Sequence, residues 1–205
     1  MNSEAIHANP RKTESIRKLG TVDCAQLRDA VLAIPEALWN AEDAKKPNPF
    51  AARAATRHIV FRFVSNFRDW RDSYDGPLWV QWKSLLEPVL AEAAKPYGYS
   101  RAAFPRVMLA RMAPGGVIHP HRDQHPAAKW PHKIHIPLQT NDQVTFWVDG
   151  TGYHLSECQA VEVNNMAVHA VENRGTTDRV HLIFEYYDIE QPEPAWLPQL
   201  LAAAR

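Results

Sequence analysis

The segment HPHRDQH, residues 119–125, places three histidines and one aspartate at alternating positions. Imidazole and carboxylate groups are frequent metal ligands. Taken alone, the segment fits a histidine-rich surface loop, a dinuclear zinc centre of a hydrolase built on His119, His121 and Asp123, or a mononuclear iron centre. Eight of the ten histidines of the chain lie between His119 and His181, so we expect the chemistry in this half of the sequence.

The spacing of His121 and Asp123 favours a single metal ion. Residues i and i+2 of an extended segment point to the same side, so these two side chains can bind one ion together. A third ligand from another strand would give two histidines and one carboxylate, the facial triad of non-haem Fe(II) oxygenases. His169 is the natural third ligand, because it lies in the strand-like segment AVHAVE. A dinuclear zinc centre would place histidine directly after Asp123, where this chain has Gln124.

Short segments with period-two alternation follow one another after residue 105, and one more precedes them. We predict strands at residues 57–64, 106–112, 116–121, 132–139, 144–150, 151–156, 160–165, 167–172 and 178–187. Helices are predicted at residues 23–34 and 77–96, and a loop at residues 35–50. Many short strands with tight turns are typical of a sandwich or small barrel. The predicted fold is therefore mainly β with flanking helices, a jelly roll in which the helices cover one sheet.

The last predicted strand has two chemically different faces. One face is apolar and consists of Val180, Leu182 and Phe184. We expect it to pack on the helix at residues 77–96. The opposite face carries Arg179 and His181, which rarely belong in an ordinary core, so it is expected to line a polar cavity or to meet water.

The segment HKIHIPL repeats this arrangement. Ile134 and Ile136 share one face, and Lys133 and His135 share the other. Two more basic groups are therefore expected in the same cavity.

The segment AVHAVENRGTTDRVH predicts a hairpin with its turn near Gly175. Antiparallel pairing around this turn would place His169 opposite His181 and diagonal to Arg179. His169 and Arg179 would then share one surface.

Composition limits the class of protein and its partners. The chain of 205 residues has 45% apolar and 22% charged residues, which suits one globular domain. Lys plus Arg and Asp plus Glu balance at 23 each, so neither nucleic acid nor an anionic membrane is indicated as a partner. Cys24 and Cys158 are too few for a disulfide framework or a four-thiolate zinc site. No signal-peptide core or long apolar run occurs, which predicts a cytoplasmic protein.

Three parts of the chain are distinguished by the same patterns. We expect a polar arm at residues 1–20, one domain at residues 21–190 and a tail at residues 191–205.

Three stretches resemble the aspartyl/asparaginyl β-hydroxylase family of 2-oxoglutarate oxygenases, and especially its bacterial, proline cis-4-hydroxylase-like members. They are RMAPGGVIHPHRD, HIPLQTN and HAVENRGTTDRVHLIFEYYD. The resemblance implies a double-stranded β-helix of the cupin-like kind, Fe(II), 2-oxoglutarate and O₂. It also implies that His121, Asp123 and His169 bind the metal. The residues that match co-substrate contacts are Arg179, which would grip the distal carboxylate, and His135 and Lys133.

The resemblance implies hydroxylation of an amino acid or of an amino-acid residue in a peptide, with succinate and CO₂ as co-products. Arg111 and Arg122 flank the motif and are candidates for binding the substrate, and Trp147 is a candidate for lining the cavity. The alternatives are a jelly-roll sensor that binds metal without catalysis, and the zinc hydrolase. The oligomeric state does not follow from the sequence.

Overall fold

In the computed structural model, which describes residues 12–45, 55–192, 195 and 198, twelve strands form two sheets packed against each other. The strands are β1 (Ile16–Thr21), β2 (Thr56–Val64), β3 (Ser73–Asp75), β4 (Ala102–Ala103), β5 (Val107–Met112), β6 (Val117–His121), β7 (His132–Gln139), β8 (Val144–Val148), β9 (Thr151–Tyr153), β10 (Gln159–Val163), β11 (His169–Asn173) and β12 (Arg179–Asp188). The helices are α1 (Ala25–Leu32), α2 (Glu36–Asp43), α3 (Trp79–Ala94) and α4 (Pro126–Lys129), and a 3₁₀ turn follows α3 at Lys95–Tyr97.

The larger sheet has the order β1-β10-β7-β12-β5-β2-β3, with β4 beside the end of β12. The smaller sheet has the order β6-β11-β8-β9. All pairs are antiparallel, and neighbours in the larger sheet are mostly distant in sequence. This arrangement is a double-stranded β-helix, so the predicted jelly roll is confirmed, and all nine predicted strands are present.

Helices α1 and α3 cover the outer face of the larger sheet. The apolar face of β12 lies in the same core cluster as Trp79 and Leu86 of α3. Leu182 is completely buried there, whereas Arg179 points into the space between the sheets. Burying each large apolar side chain contributes about 1.5–3 kcal/mol. The predicted division of β12 into a helix-facing and a cavity-facing side is therefore confirmed.

Two predictions for the first fifty residues were wrong. Residues 16–20 of the predicted polar arm belong to the edge strand β1, which pairs with β10. An edge strand buries little on either face, so its sequence shows no clear alternation. Part of the predicted loop at 35–50 is helix α2, which buries Trp39. Pro35 directly precedes this helix. Proline is tolerated there because the N–H groups at the start of a helix have no partner within the helix, so the N–H that proline lacks is not missed.

Residues 1–11 of the predicted arm lie outside the described residues, as does the predicted tail from residue 193 onward except for residues 195 and 198. Within the described ranges, no helix is both long and apolar enough to cross a membrane.

Cys24 and Cys158 are joined in a disulfide, which connects the start of α1 to the turn before β10. The sequence-based estimate that two cysteines give no framework therefore missed a single cross-link. We expect Cys158→Ser to lower the free energy of unfolding by about 2–5 kcal/mol, because the link closes a long loop in the unfolded chain. Denaturant titrations with and without reductant measure this. The wild type should lose stability on reduction, and the variant should not respond to reductant. Equal stability of the two oxidised proteins would contradict the expectation.

Candidate metal and co-substrate site

The predicted metal ligands meet where β6 and β11 pair. His169 lies directly opposite His121 in the register of these strands, and their ring centres are 4.3 Å apart. Asp123 follows two residues after His121. One ligand atom from each of the three side chains lies within 4.8 Å of the others. Residues 46 positions apart in sequence are thus brought into one cluster.

Backbone hydrogen bonds set the tautomers of both histidines. His121 Nδ1 lies 2.8 Å from the carbonyl oxygen of His119, and His169 Nδ1 lies 3.0 Å from that of Ala167. A carbonyl oxygen only accepts, so Nδ1–H is the donor and Nε2 keeps its lone pair. Burial lowers the pKa of His169 to about 4, which keeps the ring neutral at pH 7. Two imidazoles and one carboxylate are a donor set that fits Fe(II).

Asn165 holds Asp123 from two sides. Its side-chain Nδ2 donates to Asp123 Oδ2 at 3.2 Å, and its backbone oxygen accepts from Asp123 N at 3.0 Å. The side chain of Asn165 is itself fixed, because Nδ2 also donates to the oxygen of Ala128 and Oδ1 accepts from the buried amine of Lys12. Asp123 Oδ2 accepts in addition from Lys133 Nζ. Both hydrogen bonds end on Oδ2, and together they fix the orientation of the carboxylate.

Asn165→Ala is expected to weaken binding of Fe(II) by about 10- to 100-fold, because residues that orient a ligand typically contribute this much to metal affinity. Titration of the metal-free protein with Fe(II) under anaerobic conditions measures it. Asn141→Ala is the matched control, since Asn141 bonds to Asn173 and Thr177 away from the cluster. An affinity equal to that of the control would remove Asn165 from the metal site.

The dinuclear zinc centre is not formed in the described structure. The β6–β11 register passes from His121↔His169 to Ile118↔Val171, so β6 contains one extra residue between these pairs. This bulge turns Ile118 inward and leaves His119 exposed. The alternation that brings His121 and Asp123 together therefore does not extend to the side chain of His119.

A cavity between the two sheets connects the ligand group of His121, Asp123 and His169, called the metal cluster below, with Arg179. Arg179 is 1% exposed, and its Nη2 donates to His181 Nδ1 at 2.9 Å. Among the described residues it has no carboxylate partner, and its Nε has no acceptor. Burial lowers its pKa to about 9, so the group is still cationic at pH 7. A buried cation without a counter-ion is unfavourable, so this end of the cavity fits the carboxylate of an anionic ligand.

His135 and Lys133 point from β7 into the same cavity, and the alternation predicted for HKIHIPL is confirmed. His135 is paired with Ile183 in the β7–β12 register. Burial holds the pKa of His135 well below its usual range, and neither ring nitrogen has a partner in the described structure. Lys133 instead reaches toward the metal cluster, where it pairs with Asp123.

The predicted hairpin of β11 and β12 was wrong. β11 lies between β6 and β8 in the smaller sheet, so both of its edges are occupied, and β12 lies between β5 and β7 in the larger sheet. The connection crosses from one sheet to the other. His169 and Arg179 nevertheless share the cavity, because they enter it from opposite sheets.

None of the three predicted substrate residues lines the cavity. Arg111 lies on the opposite face of β5, where it pairs with Glu36 at 2.5 Å and lies over the ring of Trp39. Arg122 is exposed. Trp147 lies on the outer face of β8 and is 38% exposed.

Other residues also line the cavity, although the sequence analysis did not propose them as site residues. Phe146, rather than its neighbour Trp147, faces inward, with its ring parallel to that of His169 at 6.3 Å. Arg106 and Glu185 form a buried ion pair in the cavity wall. The alternation of β12 places Glu185 on the same face as Arg179, and this signal was present in the sequence.

Solved structures with a similar fold include 2-oxoglutarate-binding oxygenases. An oxidoreductase of the 2OG-Fe(II) oxygenase family from Burkholderia pseudomallei is 16% identical, with 91% of this chain and 90% of that chain covered and a TM-score of 0.57. HygX from Streptomyces hygroscopicus, with nickel and 2-oxoglutarate bound, is 10% identical, with 94% and 89% covered and a TM-score of 0.51. A search of curated proteins by sequence finds no match.

A family model described as aspartyl/asparaginyl beta-hydroxylase matches residues 87–189, which include the metal cluster and Arg179. The match covers half of the chain, and the chain belongs to this family. The protein is accordingly a hydroxylase of the Fe(II)- and 2-oxoglutarate-dependent class.

Proposed function

We propose that the protein hydroxylates an amino acid, free or within a peptide, and converts 2-oxoglutarate and O₂ into succinate and CO₂. The observation that carries this proposal is the buried guanidinium of Arg179, which has no carboxylate partner among the described residues and shares one cavity with the His-Asp-His cluster. A cationic end and a metal-binding cluster in one cavity suit a dicarboxylate such as 2-oxoglutarate. One of its carboxylates can chelate the metal together with the adjacent keto group, and the other can pair with the cation.

The chain would supply three preorganised metal ligands. His121 and His169 would hold Fe(II) through Nε2, and Asp123 through its carboxylate. Bound Fe(II) and 2-oxoglutarate together supply the oxidising power for C–H hydroxylation. Because the two Nδ1–H groups are already engaged by backbone oxygens, the rings need no reorientation to bind metal.

Three further residues would hold the co-substrate. Arg179 would bind its distal carboxylate through charge-assisted hydrogen bonds, which fix its orientation. His135 stays neutral and lies beside Phe146 at 5.4 Å between their ring centres, where it would pack along the co-substrate. Lys133 would contact the metal-proximal end, because it already lies beside Asp123.

Succinate formation tests the proposal. The purified protein should form succinate from 2-oxoglutarate only with Fe(II) and O₂, and an amino acid or peptide substrate should stimulate this formation. A metal-binding sensor would bind Fe(II) and 2-oxoglutarate without forming succinate. A zinc hydrolase would hold zinc and would not respond to analogues of 2-oxoglutarate.

The predicted cytoplasmic location stays a prediction. The Cys24–Cys158 disulfide is an observation against it, because disulfides are rare in cytosolic proteins. Thiol labelling in intact cells decides between the cytoplasm and an oxidising compartment. Two labelled cysteines would support the cytoplasm, and two protected cysteines would support an oxidising compartment.

A further inference from the structure

A buried ion pair forms the cavity wall next to the metal cluster. Arg106 Nη1 lies 2.7 Å from Glu185 Oε1, and the two side chains are 5% and 4% exposed. The backbones are also joined, since Glu185 N donates to the oxygen of Arg106. Phe63 and Phe67 pack against the guanidinium. The pair is therefore rigidly placed.

The pair leaves three of its polar atoms without partners in the described structure: Arg106 Nε, Arg106 Nη2 and Glu185 Oε2. Nε and Nη2 lie on the same edge of a guanidinium and form a two-pronged donor that matches a carboxylate. The remaining oxygen of Glu185 is an acceptor. Buried charged groups with unused hydrogen-bonding atoms are costly, so a ligand with complementary groups is favoured here.

The position of the pair relates it to the metal rather than to Arg179. Glu185 lies opposite Lys133 in the β12–β7 register, and Lys133 contacts Asp123. Adjacent strands are about 4.8 Å apart, so Glu185 lies beside Lys133. The ion pair is therefore separated from the metal cluster by about the length of the Lys133 side chain. Arg179 lies six residues away along β12, which corresponds to about 20 Å. The cavity thus has a second cationic group at the end opposite to Arg179.

We propose that Arg106 and Glu185 bind the α-carboxylate and the α-ammonium group of a free α-amino acid, whose side chain extends toward the metal cluster. This inference rests on the proposed function. A zwitterion has no net charge, like the ion pair, and presents one charge to each partner. A residue within a peptide presents uncharged amides at both positions. Met108 and Ile183, which are register partners that line the cavity, indicate a short apolar side chain.

Substrates with and without charged ends test this inference. Alanine, valine, leucine, isoleucine, proline and methionine would be assayed as free amino acids, as N-acetyl derivatives and as α-amides, with succinate as the product measured. At least one free amino acid should stimulate succinate formation, and both of its blocked forms should have a Michaelis constant raised at least about 10-fold, which is the usual effect of losing one charged hydrogen bond.

Variants of the pair test the same point from the side of the protein. Arg106→Gln and Glu185→Gln should each raise the Michaelis constant for the free amino acid by about 10- to 100-fold and leave the affinities for Fe(II) and 2-oxoglutarate unchanged. Breaking a buried pair can unfold a protein, so the double variant Arg106→Met/Glu185→Leu, which removes both charges, replaces the single variants if they do not fold. The control is Arg101→Gln, in an exposed ion pair with Glu190.

The outcomes separate this inference from the proposed function. Loss of Fe(II) and 2-oxoglutarate binding by the wild type would overturn the proposed function. With that binding intact, equal or better turnover of the blocked forms would overturn the inference, and so would a double variant that uses the free amino acid as well as the wild type. Failure of every free amino acid to stimulate succinate formation would overturn it as well.

Discussion

His169→Ala is expected to abolish hydroxylation and to weaken Fe(II) binding by more than about 100-fold. The change removes one of the three proposed protein ligands, and loss of a residue that merely orients a ligand already costs about 10- to 100-fold. His121 and Asp123 would remain, but two ligands do not form the face that directs the open metal positions toward the cavity. Iron stoichiometry, anaerobic Fe(II) titration and succinate formation are the three measurements.

His119→Ala is the matched control for this prediction. His119 belongs to the same motif and is exposed, and its contact with His121 uses the backbone oxygen, which alanine retains. The control should bind iron and turn over like the wild type. A dinuclear zinc centre would give the opposite ranking, with the His119 variant the more damaged. Iron content and activity that survive in the His169 variant would refute the assignment of the ligand.

Much of the fold was predictable because most strands bury one face. The alternation of β7 and β12 assigned a core face and a cavity face to each strand, and the structure confirms both. Register and sheet membership were not predictable in this way. The turn residues near Gly175 are compatible with a hairpin, and they are equally compatible with a connection between strands of two different sheets. Only the partners of β11 on both edges decide this, and they are distant in sequence.

Local patterns failed where an element buries few side chains. β1 lies at an edge and α2 buries only Trp39, so neither has the repeated apolar pattern from which an element is predicted. The bulge in β6 likewise leaves no signal in HPHRDQH, since it depends on how the strand fits against β11.

The metal cluster and Arg179 were predicted as cavity residues, whereas the residues proposed to bind substrate were not found in the cavity. Arg111 and Trp147 each lie one residue from a side chain that faces inward, Met112 and Phe146. Both faces of β5 and β8 carry large apolar side chains, so alternation alone does not tell which face is the inner one. The assignment requires the position of the second sheet.

Arg179→Gln is expected to raise the Michaelis constant for 2-oxoglutarate by about 10- to 150-fold, since a hydrogen bond to a charged group contributes about 1.5–3 kcal/mol. Glutamine keeps a polar end but lacks the charge and the fork of the guanidinium. Removal of the buried cation also removes a group that has no counter-ion in the described structure, so the variant is not expected to lose stability for electrostatic reasons. Fe(II) affinity without co-substrate should stay unchanged, because Arg179 is not a ligand.

The decisive measurement pairs a 2-oxoglutarate titration of succinate formation with Fe(II) binding to the metal-free protein. Arg111→Gln is the matched control, because Arg111 is cross-strand from Val180, next to Arg179 in sequence, yet it points to the helix side and pairs with Glu36. The control should show a normal Michaelis constant for 2-oxoglutarate. If Arg179→Gln behaves like this control, Arg179 does not bind the co-substrate. The buried guanidinium would then need another anion, and the argument from the cavity to a 2-oxoglutarate oxygenase would lose its main support.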